Sequence, residues 1–226
     1  MSQMPGNITI NFDGTSISPS AHVKNLGLHL DRYMMFDTHI NELTKKVISM
    51  LIFISRVSVN FDKRTTETVV QSLVLSLINY CIRIWGTTNA TLIHKVQKLQ
   101  NFAARVSIGS MKKYDHVSPA FRELKWLRIK QMHFLETNIA IYKSLRGMYP
   151  GWLHSFSTVH SVTNTTTRQS NNLSVPKFNT NCGGRAFIVN GPMAWNSLPP
   201  EITNRNTLSN FKCKLINDLL TKKINI

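Results

Sequence analysis

Acidic residues are scarce and never adjacent. Asp and Glu together number 11 in 226 residues, and no two of them stand side by side. A site that holds two divalent cations about 4 Å apart for phosphoryl transfer draws on clustered carboxylates. Asp13, Asp31, Asp37, Asp62, Asp115 and Asp218 stand singly, with Asp13 suited to a turn and Asp37 and Asp62 to helix caps. Cysteine is scarcer still. Cys81, Cys182 and Cys213 are odd in number and far apart, which excludes a disulfide framework and the paired spacing of a zinc site. That usage fits a reducing intracellular setting, nucleus or cytoplasm. None of the eight histidines pairs with a second His or Cys at ligand spacing. His39 is better read as a packing or capping residue than as a base. A Gly-rich phosphate loop, a nucleophile elbow and a catalytic Cys/His pair are all missing. The opening Met1-Ser2-Gln3-Met4-Pro5-Gly6 lacks the basic-then-apolar order of a secretory leader. No apolar run reaches membrane-spanning length: residues 69–85 come nearest, but Gln71, Asn79 and Arg83 interrupt them, so no membrane association is expected.

What is abundant is positive charge. Lys and Arg number 27, giving a net charge of +16. The excess begins after the opening segment: residues 1–40 carry 2 basic and 3 acidic side chains, 41–110 carry 9 and 3, 111–150 carry 8 and 3, and 151–226 carry 8 and 2. A surplus of this size makes a field that favours a polyanion, since each phosphate contact releases condensed counterions. Nucleic acid is therefore the leading partner. Plain solubility, an acidic protein or an acidic membrane surface are the other readings of the same balance. With 42% apolar residues the chain can also build a core.

Ile8, Ile10 and Phe12 alternate with Thr9 and Asn11, and Asp13-Gly14 supplies a turn of positive φ, so an N-terminal hairpin is expected. A strand over 23–31 would add a third antiparallel member, with Leu26, Leu28 and Leu30 on one face and Gly27 and His29 on the other. So small a sheet cannot close its own core, which leads to the expectation of further strands upstream. From Asp37, Ile40, Leu43, Val47, Leu51 and Ile54 recur at helical spacing, with Glu42, Lys45, Lys46 and Ser49 opposite. Residues 65–85, after a cap at Asp62, are apolar around most of the circumference, as in a central bundle helix. The next helix, opened by Thr88 or Asn89, aligns Leu92, Val96, Leu99, Ala103 and Val106 opposite His94, Lys98, Asn101 and Arg105, and Gly109 ends it. Ser118 as cap with Pro119 as first helical residue opens a short helix, and a longer one runs from about 128 to 146 and stops at Gly147. Residues 155–172, rich in Ser, Thr and Asn, read as an exposed linker. A short strand at 173–178, turns at Asn190-Gly191-Pro192 and Pro199-Pro200, and a helix near 207–222 with Leu208, Phe211, Leu215 and Leu219 inward complete the reading. The fold class is mainly α: an antiparallel β remnant over 1–34, a helical bundle over 35–153, a polar linker over 154–172 and a small mixed C-terminal module over 173–226.

Several islands carry a resemblance. Near one end stands Val23-Lys24-Asn25-Leu26-Gly27-Leu28-His29-Leu30-Asp31; near the other, Gly184-Arg185-Ala186-Phe187 precedes Pro192-Met193-Ala194-Trp195-Asn196-Ser197-Leu198-Pro199. Between them lie Phe36-Asp37-Thr38-His39-Ile40, Gln97-Lys98-Leu99-Gln100-Asn101-Phe102-Ala103-Ala104-Arg105, Leu124-Lys125-Trp126-Leu127, Tyr142-Lys143-Ser144-Leu145 and Tyr149-Pro150-Gly151-Trp152-Leu153. In this order and spacing they resemble the last third of the reverse transcriptase of non-LTR retrotransposons of the jockey-like and chicken-repeat-like lineages. The likeness covers nearly the whole chain.

The resemblance implies that residues 23–31 form a primer grip, with Gly27 letting nucleic acid approach the backbone, and that the helices after it form a thumb. The paired aspartates and their Mg would belong to a palm upstream of residue 1, so this chain would hold no cofactor and polymerise nothing alone. Its partners would be RNA and DNA, a template–primer duplex held by its phosphate backbone. Such holding needs Lys and Arg aimed at phosphates rather than base-edge readers. Lys45, Lys46, Lys95, Lys98, Arg105, Lys112 and Lys113 are the candidates, with Arg185 added as an RNA contact; a solvated helix face is the competing reading of each. The stretch 187–198 is either a base-stacking platform or core filling, the latter favoured. Two further readings remain open: a non-enzymatic helical scaffold derived from a degenerate element, and a remnant that folds poorly. A cooperative thermal melt separates the last from the others.

Overall fold

A single carboxylate joins the two parts of the N-terminal half. The side chain of Asp31, at the end of the last strand, accepts hydrogen bonds from the backbone N–H groups of Tyr33 (3.0 Å), Met35 (3.0 Å) and Phe36 (2.6 Å), folding the chain directly into the first helix. In the computed structural model, which describes residues 9–18, 20–112, 114–150, 156 and 172–221, the strands are β1 (Ile10–Phe12), β2 (Thr15–Ile17), β3 (His22–Asn25) and β4 (Leu28–Asp31). β1 pairs with β2 across Asp13-Gly14, at φ 47° and 74°, as the Asp-Gly signal predicts. The expected three-stranded sheet does not form. β3 and β4 make a second, separate hairpin whose turn is Leu26-Gly27, at φ 45° and 85°, with Asn25 opposite Leu28. The alternation read as one strand is broken because Gly27 supplies the positive φ of a two-residue turn. Of that alternation only Leu28 is buried, while Leu26 is 86% exposed.

Helix α1 (Asp37–Val57) buries Ile40, Leu43, Val47, Leu51 and Ile54, the predicted stripe. Asp37 is its first residue and not its cap: Phe36, at φ 62°, precedes it, and the clamp by Asp31 replaces a cap side chain. A 3-10 turn (Ser58–Asn60) leads to α2 (Lys63–Val69), capped by Asp62, whose Oδ1 accepts from the Thr65 N–H at 3.2 Å. α2 continues through a π-helical turn (Val70–Leu75) into α3 (Ser76–Asn79). The expected unbroken helix over 65–85 ends here. Tyr80 leaves the helical region, its carbonyl accepts the Trp85 indole N–H at 2.8 Å, and Cys81 takes φ 54° before α4 (Ile82–Trp85). This run is also more one-sided than its composition predicts: Val70, Val74 and Ile78 are buried while Leu73 is 48% exposed.

α5 (Ala90–Ile108) is capped by Asn89, whose Oδ1 accepts from the Leu92 N–H at 2.9 Å, while the Thr88 hydroxyl donates to the Met35 carbonyl. Gly109, at φ 74°, ends it. In α6 (Ser118–Glu123) Ser118 is the first helical residue and Val117 the cap. The Ser118 hydroxyl accepts from Arg128 instead of capping, at 3.0 Å. α7 (Ile129–Leu145) begins where Gln131 Oε1 accepts the Arg128 N–H at 2.9 Å and stops before Gly147, at φ 67°.

Beyond an isolated bridge at Leu173, residues 173–178 form no strand, and the elements that follow are α8 (Asn181–Arg185), α9 (Phe187–Asn196), α10 (Pro200–Thr203) and α11 (Leu208–Leu220). The turn expected at Asn190-Gly191-Pro192 is instead helix. Gly191 is buried against α7, where a Cβ would lie 2.8 Å from Ile141 Cδ1, so the glycine permits a close helix crossing that absorbs Pro192. α11 buries Phe211, Leu215 and Leu219 as its spacing predicts.

Two cores result. One lies among α1, α2, α3, α4, α5 and α6; the other unites α7 with the C-terminal helices through Tyr142, Phe211, Leu215, Leu198 and Ile202. The Tyr142 and Phe211 rings stack at 4.6 Å and Phe211 and Trp195 at 5.8 Å, so the aromatic stretch fills a core. Its neighbour Asn196 holds both backbone groups of Leu173, accepting from the N–H and donating to the carbonyl at 2.9 Å each. Asn196→Ala leaves both without their partner and is expected to cost about 1–3 kcal/mol, read as a lowered midpoint in urea at unchanged slope.

Candidate nucleic-acid interface

α1 and α5 pack side by side in the same direction. Asn41, near the start of α1, receives a hydrogen bond at 2.6 Å from Lys95, in the first half of α5. Ser55 and Ser58, at the far end of α1, line a cleft of about 630 Å³ with Phe102, Arg105, Val106, Gly109 and Met111. At 3.6 residues per turn, Lys95, Lys98, Phe102 and Arg105 fall within an arc of about 80° on α5, and Asn41, Lys45, Ile48, Ile52 and Ser55 within a similar arc on α1. The two stripes border one groove, and Arg105 lies roughly 15 Å further along it than Lys95.

Lys45 and Lys98 are exposed along this groove, and Lys95 is half-buried. Lys45 pairs with Glu42 at 2.9 Å, a surface pair worth well under 1 kcal/mol and open to exchange for another anion. Arg105 is the most constrained. Its Nη2 donates to the Asp115 carbonyl at 3.0 Å, while its Nε is buried without an acceptor. An oxyanion entering the cleft would supply the missing acceptor in a charge-assisted bond. Lys112 is exposed at the mouth beside Met111, its N–H donating to Asp115 Oδ2 at 2.7 Å. Lys113 lies outside the described residues.

The other candidates do not join this groove. Lys46 is about 100° round α1 from Lys45 and faces the side of His29 and His39, where its charge is felt. Gly27 sits in the exposed β3–β4 turn, held to the helices by the Tyr80 hydroxyl, which donates to the Leu26 carbonyl. Arg185 is half-buried with its guanidinium against Met35 Sδ, at the loop before α1.

Several acidic residues are engaged by partners within the chain. Asp31 serves the β4–α1 corner, where the Met35, Phe36 and Tyr33 N–H groups outweigh the upward effect of burial and keep its carboxyl below the usual range. Glu123 pairs with Lys63, and Asp218 with Lys214 at 3.3 Å. The described residues contain no group of three His, Cys, Asp or Glu placed to share a metal ion, and no helix among them is long and apolar enough to cross a membrane.

Two histidines are held neutral. Burial lowers the pKa of His133 to about 4, against a hydrogen bond to the Arg83 backbone that acts upward, and burial with the charges of His29 and Lys46 lowers that of His39, which packs beside Trp85. A histidine of depressed pKa binds its proton more readily unfolded. Its contribution is thus intact above pH 6.5 and is lost as pH falls from there towards 4, by at most about 3 kcal/mol for His133. Thermal melts should fall across this window, and His133→Leu should flatten that limb.

Sequence reasoning did not find three cations, Arg122, Lys125 and Arg128, that meet beside Trp126 at the end of α6. They stand three residues apart, but only Arg122 lies within a helix, α6 ending at Glu123 and α7 beginning at Ile129, so helical periodicity carries no signal of them. No protein-family model, curated protein or solved structure matches the chain.

Proposed function

We propose that this chain is the post-palm portion of an RNA-directed DNA polymerase of the non-LTR retrotransposon type, and that it grips the sugar-phosphate backbone of a template–primer duplex in the α1–α5 groove. The observation that carries the reading is the placement of Lys45, Lys95, Lys98 and Arg105 on facing stripes of two parallel helices, with the Arg105 Nε left without an acceptor. The net charge of +16 and the ordered motifs of the sequence support it. Ile48 and Ile52 give the groove an apolar floor between its cations, suited to sugar faces more than to base edges.

Fluorescence anisotropy with RNA/DNA duplexes of unrelated sequence tests the grip. Affinities are expected to agree within about threefold, because phosphate contacts carry no sequence information. A preference of a hundredfold for one sequence would contradict it. In a primer-extension assay the purified chain with Mg is expected to add no nucleotide, and any templated product would overturn the assignment of chemistry to a separate palm.

A further inference from the structure

We infer that the cleft between α6 and the C-terminal end of α11 is a second phosphate-binding site on the same nucleic-acid ligand, separate from the α1–α5 groove. The inference rests on the backbone-gripping reading above and extends it to residues that the sequence motifs do not single out.

The cleft, of about 740 Å³, is bordered by Arg122, Lys125 and Arg128 together with Ser118 and Asn217, and no acidic residue lines it among those described. All three cationic side chains are exposed. The nearby carboxylate, Glu123, is engaged with Lys63. Arg128 is preorganised: its guanidinium lies 5.1 Å from the centroid of the Phe121 ring, and its Nη2 donates to the Ser118 hydroxyl at 3.0 Å, leaving further N–H groups for a ligand. Lys125 is fixed at the corner by a left-handed backbone, φ 53°, and the following Trp126 N–H closes the corner on the Phe121 carbonyl at 3.0 Å.

One donor of the wall lacks an acceptor. Trp126 is only 8% exposed, and its indole Nε1–H is buried with none, whereas the Trp85 indole donates to the Tyr80 carbonyl. Indole is a donor only, as are guanidinium and ammonium. Three such cations and an orphaned N–H in one cleft call for a ligand that is all acceptor and multiply charged, and a phosphate of a nucleic-acid strand has that chemistry.

The test uses the full ¹⁵N-labelled chain and an RNA/DNA duplex, with inorganic phosphate at equal concentration as the second arm. Trp126→Phe, which deletes the indole N–H together with part of a buried ring, serves to identify the Trp126 indole resonance and is not used for affinity. That resonance is expected to move on titration with the duplex. In Arg122→Gln/Lys125→Gln, which alters exposed side chains only, the movement should vanish, duplex affinity should fall about tenfold at 0.1 M salt, and the log–log salt slope should shrink by about two. The inference fails if the resonance stays fixed at saturating duplex, if the double variant keeps wild-type affinity and slope, or if inorganic phosphate moves the resonance while the duplex does not. Lys95→Glu/Lys98→Glu separates the two readings: loss of binding there with none in the Gln variant overturns the cleft alone, and the reverse pattern overturns the groove and leaves the cleft.

Discussion

Lys95→Glu/Lys98→Glu is expected to weaken duplex binding by about 100-fold at 0.1 M salt while leaving the thermal midpoint within a few degrees of wild type. The size follows from the geometry. Lys98 is exposed, and Lys95 is half-buried with a single polar partner on α1, Asn41, so reversal takes both ammonium groups away from the phosphates and places two negative charges in the same groove. At about 0.7 kcal/mol for each attraction removed and each repulsion added, the total is near 3 kcal/mol, or two powers of ten. Lys46→Glu is the internal control. It reverses one charge at a site on another face of α1, so an effect above about threefold would show that net charge rather than the groove governs affinity. The non-enzymatic scaffold predicts little change in either variant.

Gly86→Ala is expected to be the most destabilising glycine-to-alanine change among the described residues. Gly86 has an ordinary helical φ of −66°, so the demand is for space and not for conformation. A Cβ there would lie 2.5 Å from His133 Cδ2 and 2.4 Å from the Ile82 carbonyl oxygen, which is backbone and cannot swing aside. Overpacking of this kind costs about 3 kcal/mol, lowering the melting midpoint of a chain of this size by about 10 °C. Gly109→Ala tests the other way a glycine matters: its φ of 74° is strained for alanine, but a Cβ there meets nothing within 4 Å, so the loss should be only about 1 kcal/mol. Equal losses at the two positions would mean that Gly86 does not lie against His133 of α7.

The helices were the most legible part of the sequence, and for a definite reason. α1, α5 and α11 each bury one stripe, so spacing alone locates Ile40 to Ile54, Leu92 to Val106 and Phe211 to Leu219, and side-chain caps at Asp62 and Asn89 mark two starts. Legibility ended where tertiary contacts override local preference. The break at Tyr80 has no glycine or proline to announce it, because the Trp85 indole produces it by taking a carbonyl out of the helix. Gly27 had the residue type of a turn but sat in an apolar alternation that also suits a strand, and the turn prevailed. Pro192 signalled a stop that the close approach of Gly191 to Ile141 overrode. Of the candidate cations, the stripe arithmetic places Lys95, Lys98 and Arg105 together within α5. Their juxtaposition with Lys45 is a contact between helices that one sequence does not encode by spacing. The cluster of Arg122, Lys125 and Arg128 is further from reach, since α11 completes its cleft from nearly a hundred residues away.

Clasping of a phosphate-lined duplex is tested most directly by the salt dependence of its affinity. With both the groove and the α6–α11 cleft engaged, the logarithm of the association constant is expected to fall linearly with that of the salt concentration, with a slope of about −5 or steeper, roughly 0.9 for each phosphate neutralised. A slope near zero between about 50 and 200 mM salt would contradict the account.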